Sequence, residues 1–430
     1  MIETKDSGIN RIGEIPKHWK FISVQYLSKI YNGNSISDEE KDNYTVERNI
    51  PYIATKDVSL DYCVANYENG LFVPENSKFR IAPAGSTLLC IEGGSAGRKK
   101  AYLTRNVAFV NKLCAFVPKD VNGKFLFYAI CSPIFKLQFD RQLTGIIGGV
   151  SPNTIKKFKI PVPPIDEQKA ISDFLDKECG KIDEIISGVK NQIEILKEYK
   201  KSLITETVTK GLNPTAEMKD SGINRIGEIP KHWKISKLKY VSKINEKILS
   251  ESTPPDYKFR YVDISSIKSM VGIESYKEMT FDVAPSRARR LVSVGDTIIS
   301  TVRTYLRAIA FIDESANIVV STGFSVHTPL EVIYPKYLYY VCISDFFIAI
   351  VNEYSTGVSY PAISDNLLGR ISVPVPPLDE QKAISDFLDD KCKKIDELIE
   401  QKQKQLETLA EYKKSVIYEY VTGKKRVEEC

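Results

Sequence analysis

The sequence predicts an α+β protein: two β-rich domains of mixed fold, separated by two long helices that pair as an antiparallel coiled coil, the whole forming a pseudo-twofold internal repeat. Three observations predict it. The segment KDSGINRIGEIPKHWK occupies residues 5–20 and recurs unchanged at 219–234. The segment DEQKAISDFLD occupies 166–176 and recurs at 379–389, so two copies of one unit follow each other along the chain. Between these blocks the copies keep their glycines, prolines and apolar runs while the polar residues change. IAPAGSTLL (81–89) parallels LVSVGDTII (291–299), KFLFYAI (124–130) parallels KYLYYVC (336–342), and LTGIIGGVSPNTI (143–155) parallels STGVSYPAI (355–363). That pattern describes one fold with two different surfaces. The expected boundaries are 1–160 and 213–373 for the β-rich domains, and 161–212 and 374–430 for the helical regions.

Residues 1–160 carry short β-branched and aromatic runs broken by Gly, Pro, Asn and Asp, such as YIATKDV and VAFVNKLCAFVP. They read as strands of a twisted sheet or partial barrel. KFLFYAICSPIFKLQF reads as one helix. GGSAGRKK (93–100) superficially resembles a phosphate loop, lacks the GxxxxGK[ST] spacing, and reads as a tight turn between strands. In 161–212, Pro163 and Pro164 set an extended approach, and Asp166 and Glu167 suit the positive end of a helix dipole. Leu175, Ile182, Val189, Leu196 and Leu203 then recur every seven residues, with Ile186 and Ile193 in a second row. Residues 213–373 repeat the strand pattern in DTIISTVRTYLRAIAFI and NIVVSTGFSVHTP, with KYLYYVCISDFFIAIV as the matching helix. In 374–430 the seam is Leu388, Ile395, Lys402, Leu409 and Val416, with Ile399 and Leu406 beside it. Sustained heptads indicate a coiled coil, broken here only by Lys402. About 37 helical residues would span ~55 Å. Both helices also keep matching polar residues outside the seam, among them Glu167, Gln168, Lys169, Asp173, Lys181, Asp183 and Glu184.

Composition removes several functional classes. The 430 residues are 43% hydrophobic and 27% charged, enough for more than one core, and unlike a disordered or collagenous chain. No run approaches the ~18–20 apolar residues of a membrane helix, and the N-terminus lacks a secretory apolar stretch, so a cytoplasmic protein is expected. Eight scattered cysteines form no CxxC and read as reduced thiols. Three histidines leave little for a metal site or a triad. His18 and His232 sit beside Trp19 and Trp233 and read as packing, and His327 aligns with Phe116. The Pro-Pro pairs VPPI, TPPD and VPPL do not fit the motif by which an adenine methyltransferase holds its base. The Glu167-Gln168-Lys169 tripeptide lacks the upstream acid of a nuclease site. No catalytic residue, metal or cofactor is therefore expected on this chain. The net charge is +5; residues 1–159 carry +7 and the two helical segments carry −2 each, a distribution that fits a polyanion partner.

Two matching helical elements imply two copies of one partner. Two dissimilar domains of one fold imply two targets, and a rigid helical pair holds them at a fixed distance. A split, asymmetric DNA site meets all three conditions. The chain resembles the type I restriction-modification DNA specificity subunits along its whole length. The resemblance rests on IGEIPKHW at 12–19 and 226–233, the G-[DS]-T-[LI]-[LI] strand at 85–89 and 295–299, and P-V-P-P-[IL]-D-E-Q-K-A-I at 161–171 and 374–384. It implies that each β-rich region is a target-recognition domain reading one half of a bipartite site in double-stranded DNA. It implies that the antiparallel coiled coil sets the spacer and docks two modification (methyltransferase) subunits, to which two restriction subunits can join. S-adenosylmethionine would then sit on the methyltransferase partner, with ATP and Mg on the restriction partner. A related alternative is a type IIB-like system, in which the partner fuses methyltransferase and nuclease. Base reading needs donors and acceptors at a groove, and phosphates need Lys or Arg. The expected DNA contacts are Gly94, Ser95, Gly97, Arg98, Lys99, Lys100, Lys112 and Arg141 in the first domain. In the second they are Arg287, Arg289, Arg290, Arg303, Tyr305, Arg307 and Tyr360.

Overall fold

In the computed structural model, residues 3–7, 13–37, 39, 41, 44–45, 50–60, 63–75, 78–143, 148–314 and 317–427 are described. Part of the first repeated block (8–12), part of the LTGIIGG stretch (144–147) and Cys430 lie outside them. The chain forms two compact units: residues 1–190 with 403–430, and residues 191–402. Each unit therefore takes one β-rich domain, half of one long helix and half of the other.

In the first unit, four antiparallel strands run in the order Ser28–Asn32, Leu113–Pro118, Thr87–Cys90, Lys100–Tyr102. A second sheet runs Phe72–Val73, Ile50–Ile53, Val107–Phe109, Ile81–Ala82, and its central pair is parallel. The second unit repeats both sheets. Its first is Ser242–Ile244, Phe324–Pro329, Thr297–Ser300, Ile309–Phe311. Its second is Lys277–Thr280, Lys258–Val262, Ile318–Ser321, Ala288–Leu291, again with a parallel centre. The central strands are buried on both faces, which explains why Thr87–Cys90 and Thr297–Ser300 read as continuous apolar runs rather than alternating ones. His327 occupies the register position of Phe116: each pairs with the threonine of the GxT strand, Thr297 and Thr87.

Two expectations need correction. KFLFYAICSPIFKLQF is two helices, Gly123–Cys131 and Pro133–Gln142, and its counterpart is also two, Pro335–Ile343 and Asp345–Tyr354. Ser132 is extended (φ −67°, ψ 152°) and its hydroxyl caps the second helix, because the residue before a proline is pushed out of the α region. Ser344 takes the same conformation without a proline after it. The long helices are also longer than the heptads suggest, at 46 residues (Ile165–Lys210) and 44 residues (Leu378–Val421). They begin directly after the Pro-Pro pairs and continue past the last heptad position into the cores of the globular domains.

Burial along the seam shows where that happens. Leu175, Ile182, Val189, Ile193, Leu388, Ile395 and Val416 are buried. Ile186, Leu196, Leu203, Ile399, Leu406 and Leu409 are half-buried, as is Lys402. Near each C-terminal end the buried positions are Ile204 and Val208, and Ile417 and Val421, which lie in the cores of the second and first units respectively. The helix ends thus serve as core elements of the β-rich domains.

Candidate nucleic-acid interface and helix junction

The two repeated blocks lie about 150 residues apart in each copy, and in each unit they meet. Lys20–Ser23 pairs antiparallel with Lys159–Val162, directly before the central helix, and Lys234–Lys237 pairs the same way with Ser372–Val375. Trp19 and Trp233 are buried beside these strands. The indole Nε1–H of Trp19 donates to Glu167 (3.0 Å), whose other oxygen holds His18 at 2.6 Å; Trp233 and His232 hold Glu380 at 2.9 and 2.6 Å. The two histidines are half-exposed hydrogen-bond partners of these glutamates, so the expectation that they pack inside the block holds only for their tryptophan neighbours. Both glutamates lie in the first turn of their helix, where the dipole favours negative charge.

A second set of matching bonds ties each long helix to its β-rich domain. The buried Gln168 and Gln381 accept from the backbone N–H groups of Asn122 and Tyr334, and donate to the carbonyls of Pro163 and Pro376. Asp176 holds Lys124 and accepts from the Tyr128 hydroxyl (2.8 Å); Asp389 holds Lys336 and Tyr340 (both 2.7 Å). Burial pushes both phenols well above the ordinary tyrosine pKa.

In the first unit, Phe174 lies on Tyr420 with ring centroids 4.3 Å apart, and Asp183 meets Lys413 at 2.6 Å, so the two helix segments run antiparallel. In the second unit Lys200 meets Asp396 at 2.7 Å. These are one ion pair written twice, because Asp183 and Asp396, and Lys200 and Lys413, are repeat equivalents.

Most of the candidate DNA contacts lie on loops joining the sheet strands; Lys100, Arg289 and Arg290 lie in strands, and Arg141 near the end of the helix Pro133–Gln142. In the first unit, residues 91–99 form the expected tight turn, closed by Gly97 N–H to Cys90 O (2.8 Å) and Ala96 N–H to Gly93 O (2.9 Å). Two neighbouring segments brace it: Ile91 N–H donates to Lys112 O, and Glu92 bridges Gly149. Gly94, Arg98, Lys112 and Arg141 are exposed, and Ser95 is half-exposed. Lys99 is drawn to the Thr55 carbonyl at 2.9 Å. Gly97 and Lys100 face inward. Gly97 has φ +70°, and a Cβ there would lie 2.7 Å from the Phe139 ring, so its role is the close approach of turn to helix. Lys100 is a buried strand residue.

In the second unit the corresponding loops are 301–307 and 355–363. They are joined by Arg303 N–H to Pro361 O (2.7 Å), Ile363 N–H to Thr301 O (2.9 Å) and the Thr304 and Ser355 hydroxyls (3.0 Å). Arg303, Tyr305 and Tyr360 are exposed, with the Arg303 guanidinium 4.6 Å from the Tyr360 ring centre. Arg307 is held by Asp345 at 2.7 Å. Arg287 is exposed and bonds the Tyr261 hydroxyl; Arg289 lies 4.9 Å from the Phe281 ring centre. Arg290 is spoken for: it bonds Asn245, the Phe324 carbonyl and Asp365, mostly inside the domain. Gly97 and Lys100 are thus buried, and the Arg290 guanidinium is engaged inside the domain. Sequence reading missed Leu306 and Val358, both exposed on these loops. The Gly357-Val358-Ser359 turn carried a signal, an apolar residue in a polar turn.

Against this geometry the comparisons with known proteins are consistent. The family model for the type I restriction modification DNA specificity domain matches residues 16–195 and again 230–408. The chain belongs to that family. The MjaVIII specificity subunit of Methanocaldococcus jannaschii is 27% identical over 389 residues, covering 87% of this chain and 86% of that one. The EcoBI specificity subunit of Escherichia coli is 22% identical, covering 89% and 81%. A chain from a solved structure of a type I restriction-modification system, described as addressing complex assembly and conformational transition, superposes with a TM-score of 0.70. It is 14% identical and covers 96% of this chain and 99% of that one, a likeness of fold. Among the described residues of this specificity subunit, no helix is long and apolar enough to cross a membrane and no group of His, Cys, Asp and Glu is placed for a metal.

Proposed function

We propose that this specificity subunit is the noncatalytic DNA-reading component of a type I complex. Each β-rich domain reads one half of an asymmetric bipartite site. The long helices act as a coiled-coil ruler for the spacer and dock two methyltransferase subunits, through which restriction subunits join. S-adenosylmethionine belongs to the methyltransferase partner, and ATP and Mg to the restriction partner.

One observation carries this reading: exposed side chains divide into matched and unmatched sets. On the long helices and the short helix Val24–Leu27 with its counterpart, large apolar residues are exposed at equivalent positions in both copies. These are Tyr26 and Tyr240, Ile165 and Leu378, Ile185 and Leu398, and Tyr199 and Tyr412. Lys169, Asp173 and Glu184 match Lys382, Asp386 and Glu397, all exposed. Glu167, Gln168 and Asp183 have internal bonds that account for their duplication; these exposed residues do not. Singly exposed apolar residues are ordinary, but their recurrence at equivalent positions in both copies gives two matching surfaces, which suit two copies of one partner. Among the described loop residues of the β-rich domains the exposed ones differ: Gly94 and Arg98 stand against Arg303, Tyr305 and Tyr360. Different surfaces on one scaffold suit two different half-sites.

The test is a methylome of the host with and without the gene, joined to co-purification. Deletion is expected to abolish one split adenine-methylated motif. Ile165→Glu or Leu378→Glu alone is expected to cut methyltransferase stoichiometry from two to one per specificity subunit. An unchanged methylome, with no methyltransferase co-purifying, refutes the reading.

A further inference from the structure

The loops of the second unit carry more apolar surface than phosphate binding requires. Val358 is fully exposed, Tyr360 is 63% exposed and Leu306 is 43% exposed. They are rigidly presented. Arg303 and Arg307 both have φ +52°, a conformation rare for residues other than glycine and maintained only where the surroundings enforce it. Gly357 has φ +110°, and a Cβ there would lie 3.0 Å from the Tyr360 carbonyl oxygen, so a tight turn places Val358 at its tip. Thr356 and Ala362 exchange two backbone hydrogen bonds at 2.9 Å, closing that turn from behind.

The surroundings are cationic. Arg303 stacks on Tyr360, and among the described residues no carboxylate pairs with it. Arg287 is exposed on the neighbouring strand end, where its carbonyl accepts from Thr322 N–H, beside the Gly323 carbonyl that holds Thr301. In the first unit the counterpart of the Val358 turn is the LTGIIGG stretch, of which residues 144–147 lie outside the described residues.

We infer that Val358 is a specificity-determining residue that packs against the C5-methyl group of a thymine in the major groove of the second unit's half-site. Thymine is the base that displays an apolar group there, and duplex DNA supplies the negative charge that Arg303 and Arg287 complement. Leu306 and Tyr360 flank the contact, and the Arg303–Tyr360 stack places a cation toward the adjacent phosphate. The inference rests on the DNA-reading function proposed above, and extends it to the chemistry by which one half-site is told apart.

The experiment uses the specificity subunit assembled with its methyltransferase subunits, and the site found by the methylome. Binding is measured by fluorescence anisotropy on duplexes in which each thymine is replaced singly by uracil, which removes the methyl and keeps every hydrogen-bonding group. One uracil in the second half-site is expected to weaken wild-type binding roughly four-fold, the effect of one methyl-sized apolar group. Val358→Ser is expected to weaken binding to the thymine duplex and to be indifferent to that same uracil. Its exposed position leaves folding intact, which co-purification of the methyltransferase verifies. Wild-type binding that is insensitive to every uracil, or a uracil penalty unchanged in Val358→Ser, overturns the inference while leaving sequence recognition standing. A complex with no sequence preference overturns both.

Discussion

His327→Phe tests the reasoning about buried polarity most directly. His327 is fully buried in the sheet of the second unit. The Ser242 hydroxyl donates to Leu238 O at 3.0 Å, so it accepts from the His327 Nδ1–H, also at 3.0 Å. The neutral Nδ1–H tautomer is therefore in place, and Nε2 has no hydrogen-bond partner among the described residues. Protonation would put a charge and an unpaired N–H at Nε2. Burial accordingly pushes the pKa down to about 4 from an ordinary 6.5, with Asp365 opposing and Arg290 assisting the shift. The folded-state value lies below the unfolded one, so the unfolded chain takes up the proton first as pH falls. Stability is complete above pH ~6.5 and drains away down to about pH 4. At ~1.4 kcal/mol per pH unit, this histidine costs the second unit roughly 2.5 kcal/mol between pH 7 and 4.5. Phenylalanine at this position removes the titration, and the first unit shows that the fold accepts it, since Phe116 is buried at the equivalent place. The assay is urea unfolding at pH 7 and pH 4.5, in a Trp19→Phe background that leaves Trp233 as the reporter, since the chain has two tryptophans. Wild-type and His327→Phe stabilities should diverge by about that amount as the pH falls. Parallel pH profiles would refute the argument.

Three further outcomes follow from the same geometry. Neutralising Arg98 together with Lys112, or Arg303 alone, is expected to lower the salt slope of DNA binding by the assembled complex by about one per phosphate contact removed, whereas Arg290→Ala should destabilise the second unit without touching the slope; anisotropy titrations across salt concentrations distinguish the two. Glu380→Ala strips the acceptor from the Trp233 N–H and the partner from His232, and should cost the second unit about 1–2 kcal/mol, read by denaturant unfolding of Trp233 in the same Trp19→Phe background. Cys63 accepts a hydrogen bond from the Cys131 thiol, which lowers its pKa to about 7. Among the cysteines of the described residues it should be alkylated fastest near neutral pH, ahead of Cys114, whose burial pushes it up to about 12, and Cys131→Ala should return its reactivity profile toward ordinary cysteine; peptide mapping after brief iodoacetamide treatment measures this.

Periodicity and self-similarity made the architecture legible. Identical blocks at 5–20 and 219–234, and at 166–176 and 379–389, established the repeat, and heptads from Leu175 and Leu388 established the helices. These signals are local or translational, so they survive in one dimension. The helix break at Ser132 was also written there, in the Ser-Pro dipeptide. The role of the duplicated polar residues was not. Glu167 serves Trp19 and His18, nearly 150 residues away, and Asp183 serves Lys413, 230 residues away. Nothing in a linear chain distinguishes such internal partners from a surface reserved for another protein; only once they are paired off do Tyr199, Tyr412 and their exposed companions stand out.

The same holds for the candidate DNA surface. Charge and loop position nominated Arg98 and Arg290 alike, because basic residues in strand–loop junctions look the same in sequence. Tertiary packing separated them, turning Arg98 outward and locking Arg290 onto Asp365, and it brought Val358 to a tip that hydrophobicity alone would have assigned to a core. Pattern determines which elements form and how often they repeat, since it acts through neighbours in the chain. Which side chains are left facing outward depends on every other group competing for the interior, and that competition is resolved only in the folded structure.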